Sequence, residues 1–489
     1  MARRATLHDV ELVDDDSDDG TGAPPPTDGS TTAAAPRRRW PLVLGAAVLA
    51  VLVVVGVTGQ VLQDRRERAR LAAVAASPQS VPLLDGPPVP RWETHSETFY
   101  EATQVRTPEG LLVGLRSAVE GPVAAAALDV ATGREVWRVE LVDGSTRPAV
   151  DPGFEAYPDS GYCTAHGDRA DLAVCLAHDG ARVIGRESAG YVAPTTSRLV
   201  VLDTRDGTVV TDLTASLEPG THPTSVATLG DLVVAVVEAS DGTTVRASTT
   251  DGTARWSVPV TTTADPEAGG TRVERVGDLV AVLGETEVVL LDEDGATVRT
   301  HPLAGGYAYS ADGGVHVRPR SQAADAPTTI VRQDGVVEVR GDVLTPLVDD
   351  GSAPGLALTS DGRHLVAWVD GEQSWTADDP GWWNLLVLGG RVVVDDGGGL
   401  TALDARDGTR AWRSEVVRGL PVTDGRVLLG VARVAERGEQ AQMVALDPAD
   451  GTELWRAPLP DGTTELVAWR HLLLAGRDDG HETHLTVLG

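Results

Sequence analysis

Ala445-Leu446-Asp447-Pro448-Ala449-Asp450-Gly451-Thr452-Glu453-Leu454-Trp455 reads as strand, tight turn, strand. An apolar run ends in Ala-Leu, an Asp and an Asp-Gly pair interrupt it, and an apolar residue followed by Trp resumes it. Asp side chains accept hydrogen bonds from backbone amides two residues on, and Gly takes the positive φ of a hairpin turn, so the cluster fixes a hairpin register. Such a unit returns at intervals of roughly 36 to 47 residues, the spacing of a repeat architecture. Full copies carry Asp129, Gly133 and Trp137; Asp404, Gly408 and Trp412; and Asp447, Gly451 and Trp455. Weaker copies keep Asp203 and Gly207 without Trp, Gly252 with Trp256, Gly295 without Trp, and Gly371 with Trp375, and Asp334-Gly335 marks a marginal further member.

Several short strands per repeat imply four-stranded blades arranged around an axis. The fold expected is all-β, a propeller of eight blades within a range of seven to nine. Eight is preferred because Tyr307 to Trp375 is divergent and has room for one unit fewer. After Trp455 the chain reads as three strands with no Trp-bearing fourth, and Arg91-Trp92-Glu93 supplies it from the other end. A last blade sewn from both chain ends closes the ring and leaves no open edge.

These residues resemble the tryptophan-docking repeat of the pyrroloquinoline-quinone-type propeller superfamily over roughly residues 90 to 489. The resemblance implies that the Trp of one blade packs on the Gly peptide of the next, which gives Gly133, Gly408 and Gly451 with Trp137, Trp412 and Trp455 a structural role. The superfamily holds quinone-dependent dehydrogenases, a scaffold lipoprotein of outer-membrane β-barrel assembly, and many membrane-anchored proteins. The dehydrogenases carry two adjacent cysteines over the cofactor, whereas this chain has two separated cysteines, and Asn384 is its one asparagine for a calcium shell. The expectation is therefore the architecture without the redox chemistry and without a cofactor.

The net charge is −31. Residues 1–36 contribute about −6 and residues 37–79 about +5, so roughly −30 lies in the repeats, which disfavours nucleic acid as a partner. Asp as the turn residue and surface solvating group accounts for most of that charge; an acidic face recruiting a basic partner is the alternative.

Four segments are expected. Residues 1–36 form a disordered acidic cytoplasmic tail, with the run Asp14-Asp15-Asp16-Ser17-Asp18-Asp19. Residues 37–64 form a transmembrane signal anchor, because Trp40 to Leu62 holds no charge and is long enough to cross a hydrocarbon core of about 30 Å. A cleavable signal peptide competes, but its apolar core is shorter and it lacks the arginines that follow here. Residues 65–90 form an Arg/Ala then Pro-rich linker, read as an extended spacer, and residues 91–489 the propeller. Arginines flank the span on both sides (Arg37 to Arg39, and Arg65, Arg66, Arg68 and Arg70), so charge does not orient it.

Cys163 and Cys175 bracket a turn-like Gly167 to Asp171, which places them opposite one another on a hairpin. A cross-strand disulfide implies an oxidising compartment; two unrelated buried thiols are the alternative. His481-Glu482-Thr483-His484 superficially suggests zinc, but its histidines are three apart instead of four and sit in strand context, so no metal site is expected. Trp382-Trp383 reads as buried packing more readily than as an exposed contact. Ser, His and Asp form no catalytic constellation, and no Gly-rich loop precedes a helix. The functional expectation is a single-pass, membrane-tethered extracytoplasmic propeller acting as a non-enzymatic binding or scaffold module, with a protein partner or small ligand at one face. A quinone-dependent oxidoreductase and an extracytoplasmic sensor are the alternatives.

Overall fold

In the computed structural model the described residues are 60–117, 121–144, 155–167, 169–184, 189–192, 194–218, 220–240, 242–261, 270–311, 313–320, 326–378, 384–432, 440–480 and 482–489. The acidic tail, residues 40–59 of the expected span, and Trp382-Trp383 lie outside them. No described helix is long and apolar enough to cross a membrane.

Among the described residues, the strands from Pro90 onward make nine blades. In blades 1 to 8 four strands pair in chain order, starting at Val105–Arg106, Gly161–Ala165, His222–Leu229, Arg272–Val276, Tyr307–Ala311, Asp342–Leu344, Leu385–Leu388 and Val417–Thr423. Blade 9 takes Glu465–Trp469, Leu472–Asp478 and Thr483–Leu488 from the C-terminus, and Pro90–His95 as its outer strand. That strand runs antiparallel to the last one, with Glu93 opposite Thr486 and His95 opposite His484. Pro90–His95 thereby supplies the fourth strand that the C-terminal stretch lacks.

Nine blades correct the expected eight. Tyr307 to Trp375 holds two complete units, hidden because blade 5 lacks a docking Trp and blade 6 opens with a three-residue strand followed by an excursion over residues 345–355. That excursion contributes Val348–Asp349 as a fifth, parallel strand on blade 7. Blade 2 carries an outlying three-stranded sheet of Glu155–Pro158, Ala181–Ile184 and Ala189–Val192.

Each blade is buried on both faces, so its second and third strands read as unbroken apolar runs such as Leu172–His178 and Val123–Asp129. The apolar side chains fall into eight clusters, each joining two consecutive blades, including one from blade 9 back to blade 1 through Leu474, Val487, Phe99 and Leu112. Phe99 sits on the helix Ser96–Ala102 that links blade 9 to blade 1. Among the described residues eight clusters serve nine seams, and the seam without one lies between blades 5 and 6.

Residues 65–90 do not form the free extended spacer expected from their composition. Residues 60–76 are helical, and the stretch from Arg65 onward packs on the ring. Val74 is buried in the cluster of blades 7 and 8, and Val81 in that of blades 8 and 9. Ser77 Oγ donates to Leu347 O at 2.8 Å, Val81 N to Thr423 O at 3.0 Å and His471 N to Pro78 O at 3.2 Å. Prolines keep this stretch extended, and it is the ring that satisfies its backbone groups.

Candidate functional site

The repeat residues meet at the seams. A Cβ placed on Gly207 falls 2.5 Å from the Trp137 ring, on Gly295 2.6 Å from Trp256, on Gly408 2.7 Å from Trp375, and on Gly451 2.6 Å from Trp412. Each of these indoles belongs to the preceding blade, and its Nε1 donates to a carbonyl in the same turn: Thr204, Glu293, Ala405 and Pro448. Trp92 completes the set by packing on Gly133 and donating to Val130 O at 2.9 Å. Among the described residues no glycine lies against Trp455, which is half-buried beside the cluster of blades 8 and 9.

Cross-strand register explains the Ala of Ala-Leu-Asp. Trp137, Trp256, Trp375, Trp412 and Trp455 lie opposite Ala127, Ala247, Ala367, Ala402 and Ala445, each followed by a bulge. The small residue leaves room for the ring in these five, whereas Trp92 docks with Val487 opposite it. Where the Trp is replaced its partner is larger: Thr211 faces Val201, and Arg299 faces Leu290. Arg299 also preserves the indole's hydrogen bond, since its Nε donates to Arg332 O at 3.1 Å. Gly252 meets only Thr211 and Leu213 at 3.7 Å, and Gly371 meets Val337 at 3.1 Å. Three turn aspartates accept from the amide two residues on, Asp203 from Arg205 N at 2.9 Å, Asp404 from Arg406 N at 2.9 Å and Asp447 from Ala449 N at 2.7 Å, and Asp129 accepts three residues on, from Thr132 N at 2.8 Å. Arg205 and its own turn amide hold the Asp203 carboxyl down at about 2.

Cys163 and Cys175 are register partners on blade 2 and are joined by a disulfide with Cα atoms 4.0 Å apart. They lie within the cluster between blades 1 and 2.

The blade 5–6 seam holds a cavity of about 470 Å³, lined by His316, Ile330 and Arg332 from blade 5 and by Val343, Leu344, Asp349 and Leu358 from or beside blade 6. That volume suits a small ligand. His316 has no exposed surface, and neither ring nitrogen has a partner. Burial, with the Arg332 charge second, pushes its imidazole down to about 4, so it is neutral at pH 7. Asp349, open to solvent at the rim, is pushed up, chiefly because the surrounding protein displaces water from its carboxylate. A neutral imidazole can donate from one nitrogen and accept at the other, and Arg332 adds positive charge. The cavity therefore has a mixed polar and apolar lining. Sequence reading missed it; the signal was the double departure from the repeat at Arg299 and in blade 5.

Topology separates the two ends of the ring. In an antiparallel four-stranded blade the first and third hairpin turns share one end, and the second turn and the blade-to-blade connection share the other. The segment from Arg65 to Pro90 lies against first turns of blades 7, 8 and 9: Arg70 donates to Gly425 O at 3.2 Å, Leu84 N donates to Asp424 Oδ2 at 3.0 Å, and Pro78 binds at His471. Arg70 also pairs with buried Asp350 at 3.4 Å. The opposite end carries the three-stranded sheet of blade 2 and the second hairpins. There His95 of the N-terminal strand meets Glu482 and His484 of the C-terminus, their donor atoms lying within 4.8 Å of one another.

The profile of the family described as outer membrane protein assembly factor BamB matches residues 121–339 and 337–472, well over half of the chain. The chain belongs to that family. Among solved structures this BamB-family propeller is similar to BamB from Moraxella catarrhalis, at 13% identity over 82% of this chain and 99% of that one, with a TM-score of 0.38. It is also similar to quinohemoprotein alcohol dehydrogenase from Comamonas testosteroni, at 13% identity over 84% of this chain and 78% of that one, with a TM-score of 0.37. At such low scores and identities neither carries a functional inference. No curated relative matches the BamB-family chain.

Proposed function

We propose that this chain is a non-enzymatic binding or scaffold module, tethered to a membrane through the uncharged stretch from Trp40 to Leu62, with its propeller on the extracytoplasmic side. The observation that carries the reading is the docking of residues 65–90 across one end of blades 7, 8 and 9. A propeller held at one end by the chain leading to its anchor presents the loops of its other end to partners, and a rigid ring keeps them in fixed positions. The assembly factor named in the family description supports a role in holding partners, and the Cys163–Cys175 bond suits an oxidising compartment.

Site-specific photo-crosslinking in native membranes tests it. Crosslinkers at exposed Thr286 and Arg363, in second hairpins, should capture a partner that crosslinkers at exposed Arg406 and Asp450, in third turns, do not. The chain should resist alkaline carbonate extraction, and protease added to intact cells should digest the propeller. Release by carbonate, full protection, or capture from the third turns alone contradicts the reading. So does a quinone chromophore acquired by the purified chain when quinone and calcium are added.

A further inference from the structure

We propose that His95, Glu482 and His484 form a binding site for a divalent transition cation of the zinc class, bridging the first and last strands of the ring. Two imidazoles and a carboxylate are the donor set that borderline cations prefer over calcium or magnesium. Glu482 and His484 lie two residues apart on the C-terminal hairpin, His95 comes from the distant strand Pro90–His95, and closure of blade 9 brings them together. His95 and His484 are register partners, with ring centroids 4.8 Å apart. His95 Nδ1 lies 3.0 Å from Glu482 Oε2. Two donors on one tetrahedral ion stand about 3.4 Å apart, given bonds of roughly 2.1 Å. Bringing the widest pair in from the 4.8 Å limit requires only small side-chain rotations. His95 and Glu482 are 57% and 61% exposed, which gives their side chains room to rotate.

A second observation points the same way. His484 Nε2 stands 3.1 Å from Asp479 Oδ2. A carboxylate on Nε2 fixes the tautomer and leaves the lone pair on Nδ1, the arrangement that recurs around histidine ligands. Three protein ligands leave a fourth position for water or for a donor from a bound partner. Because the ligands come from Pro90–His95 and from the C-terminal hairpin, ion binding and closure of the ring are linked, and the ion stabilises the closed form by mass action.

The test uses the full chain in detergent, without a histidine tag, stripped with chelator and titrated with zinc chloride. One zinc per chain is expected. Asp479→Asn should weaken binding by about 10- to 100-fold, the usual cost of losing the group behind a ligand. His95→Ala and His484→Ala should abolish high-affinity binding, whereas His364→Ala should leave it unchanged. His95 is exposed, so His95→Ala should melt like the wild type in chelator, and zinc should raise the melting temperature of the wild type and of His364→Ala but not of His95→Ala. Cobalt in place of zinc should give the visible absorption of a tetrahedral centre and lose it in His95→Ala. Failure to bind at millimolar zinc, or equal stoichiometry in the His95→Ala/His484→Ala double variant, overturns the proposal.

Discussion

Gly207 and Gly252 hold the same place in successive blades and both have positive φ, +75° and +86°. They differ in what an added methyl would meet. On Gly207 it falls 2.5 Å from Trp137; on Gly252 the nearest atoms are 3.7 Å away. Alanine at either site incurs the left-handed penalty of about 1–2 kcal/mol. Only Gly207→Ala must also displace a buried indole. The Trp137 Nε1 bond to Thr204 O is then lost or lengthened, at roughly 1 kcal/mol. Overpacking the seam adds about 1–3 kcal/mol. Gly207→Ala should therefore lose some 2–4 kcal/mol more than Gly252→Ala. Urea unfolding followed by tryptophan fluorescence and by far-ultraviolet circular dichroism reads the difference, with both probes needed because a nine-blade ring can unfold in stages. Equal destabilisation of the two variants would refute indole docking as the tie between blades.

Other consequences follow from the same geometry. Ala402→Val should destabilise by about 1–3 kcal/mol, because Ala402 is fully buried opposite Trp412, and combining it with Trp412→Arg should give less than the sum in urea unfolding. Reducing Cys163–Cys175, 12 residues apart, should lower stability by about 3 kcal/mol, measured as the shift in urea midpoint with reductant. Asp203, Asp251 and Asp396 are held at about 2 by their arginine, threonine and backbone donors, so their stabilisation is present above the ordinary carboxylate value near 3.8 and is lost as pH falls toward 2. Asp396→Asn should flatten the melting temperature over that range. His316, held at about 4, has the opposite cause: its unfolded form takes a proton below about 6.5, so stability falls from pH 6.5 to 4 and levels off below. His316→Leu should remove that slope and leave stability at pH 7 equal or higher, as two unpaired buried nitrogens disappear.

The propeller was legible because its turns need particular residues. Asp accepts from the amide two residues on, the docking glycine has no Cβ for the indole to strike, and only Trp both fills the seam and reaches the next turn's carbonyl. Where another residue does the same work, the pattern fades. Arg299 keeps the hydrogen bond but not the ring, Thr211 keeps only the position, and blade 6 spends its first strand on three residues, so two seams and one blade were lost to view. Trp92 was legible as a closing strand; its docking on Gly133 becomes apparent only once blade 9 is set beside blade 1. The stretch from Ser77 to Pro90 shows the opposite limit, since proline content announces an extended backbone without saying what it lies on. His95 and His484 share no local motif at all, and their meeting depends on the strand register at closure. The cavity beside His316 was hidden for a similar reason, being defined by the absence of an apolar cluster that eight other seams have.

Closure of the ring by the strand Pro90–His95 is the proposition on which the docking of residues 65–90, the displayed end and the cation site all depend. Glu93→Cys/Thr486→Cys places thiols on register partners of Pro90–His95 and Thr483–Leu488. Under mild oxidation of the native chain, peptide mass spectrometry should find residues 93 and 486 joined in most molecules, with Cys163–Cys175 intact. A native, folded chain in which both new thiols remain free, or pair only after denaturation, would contradict a wheel sewn from its two ends.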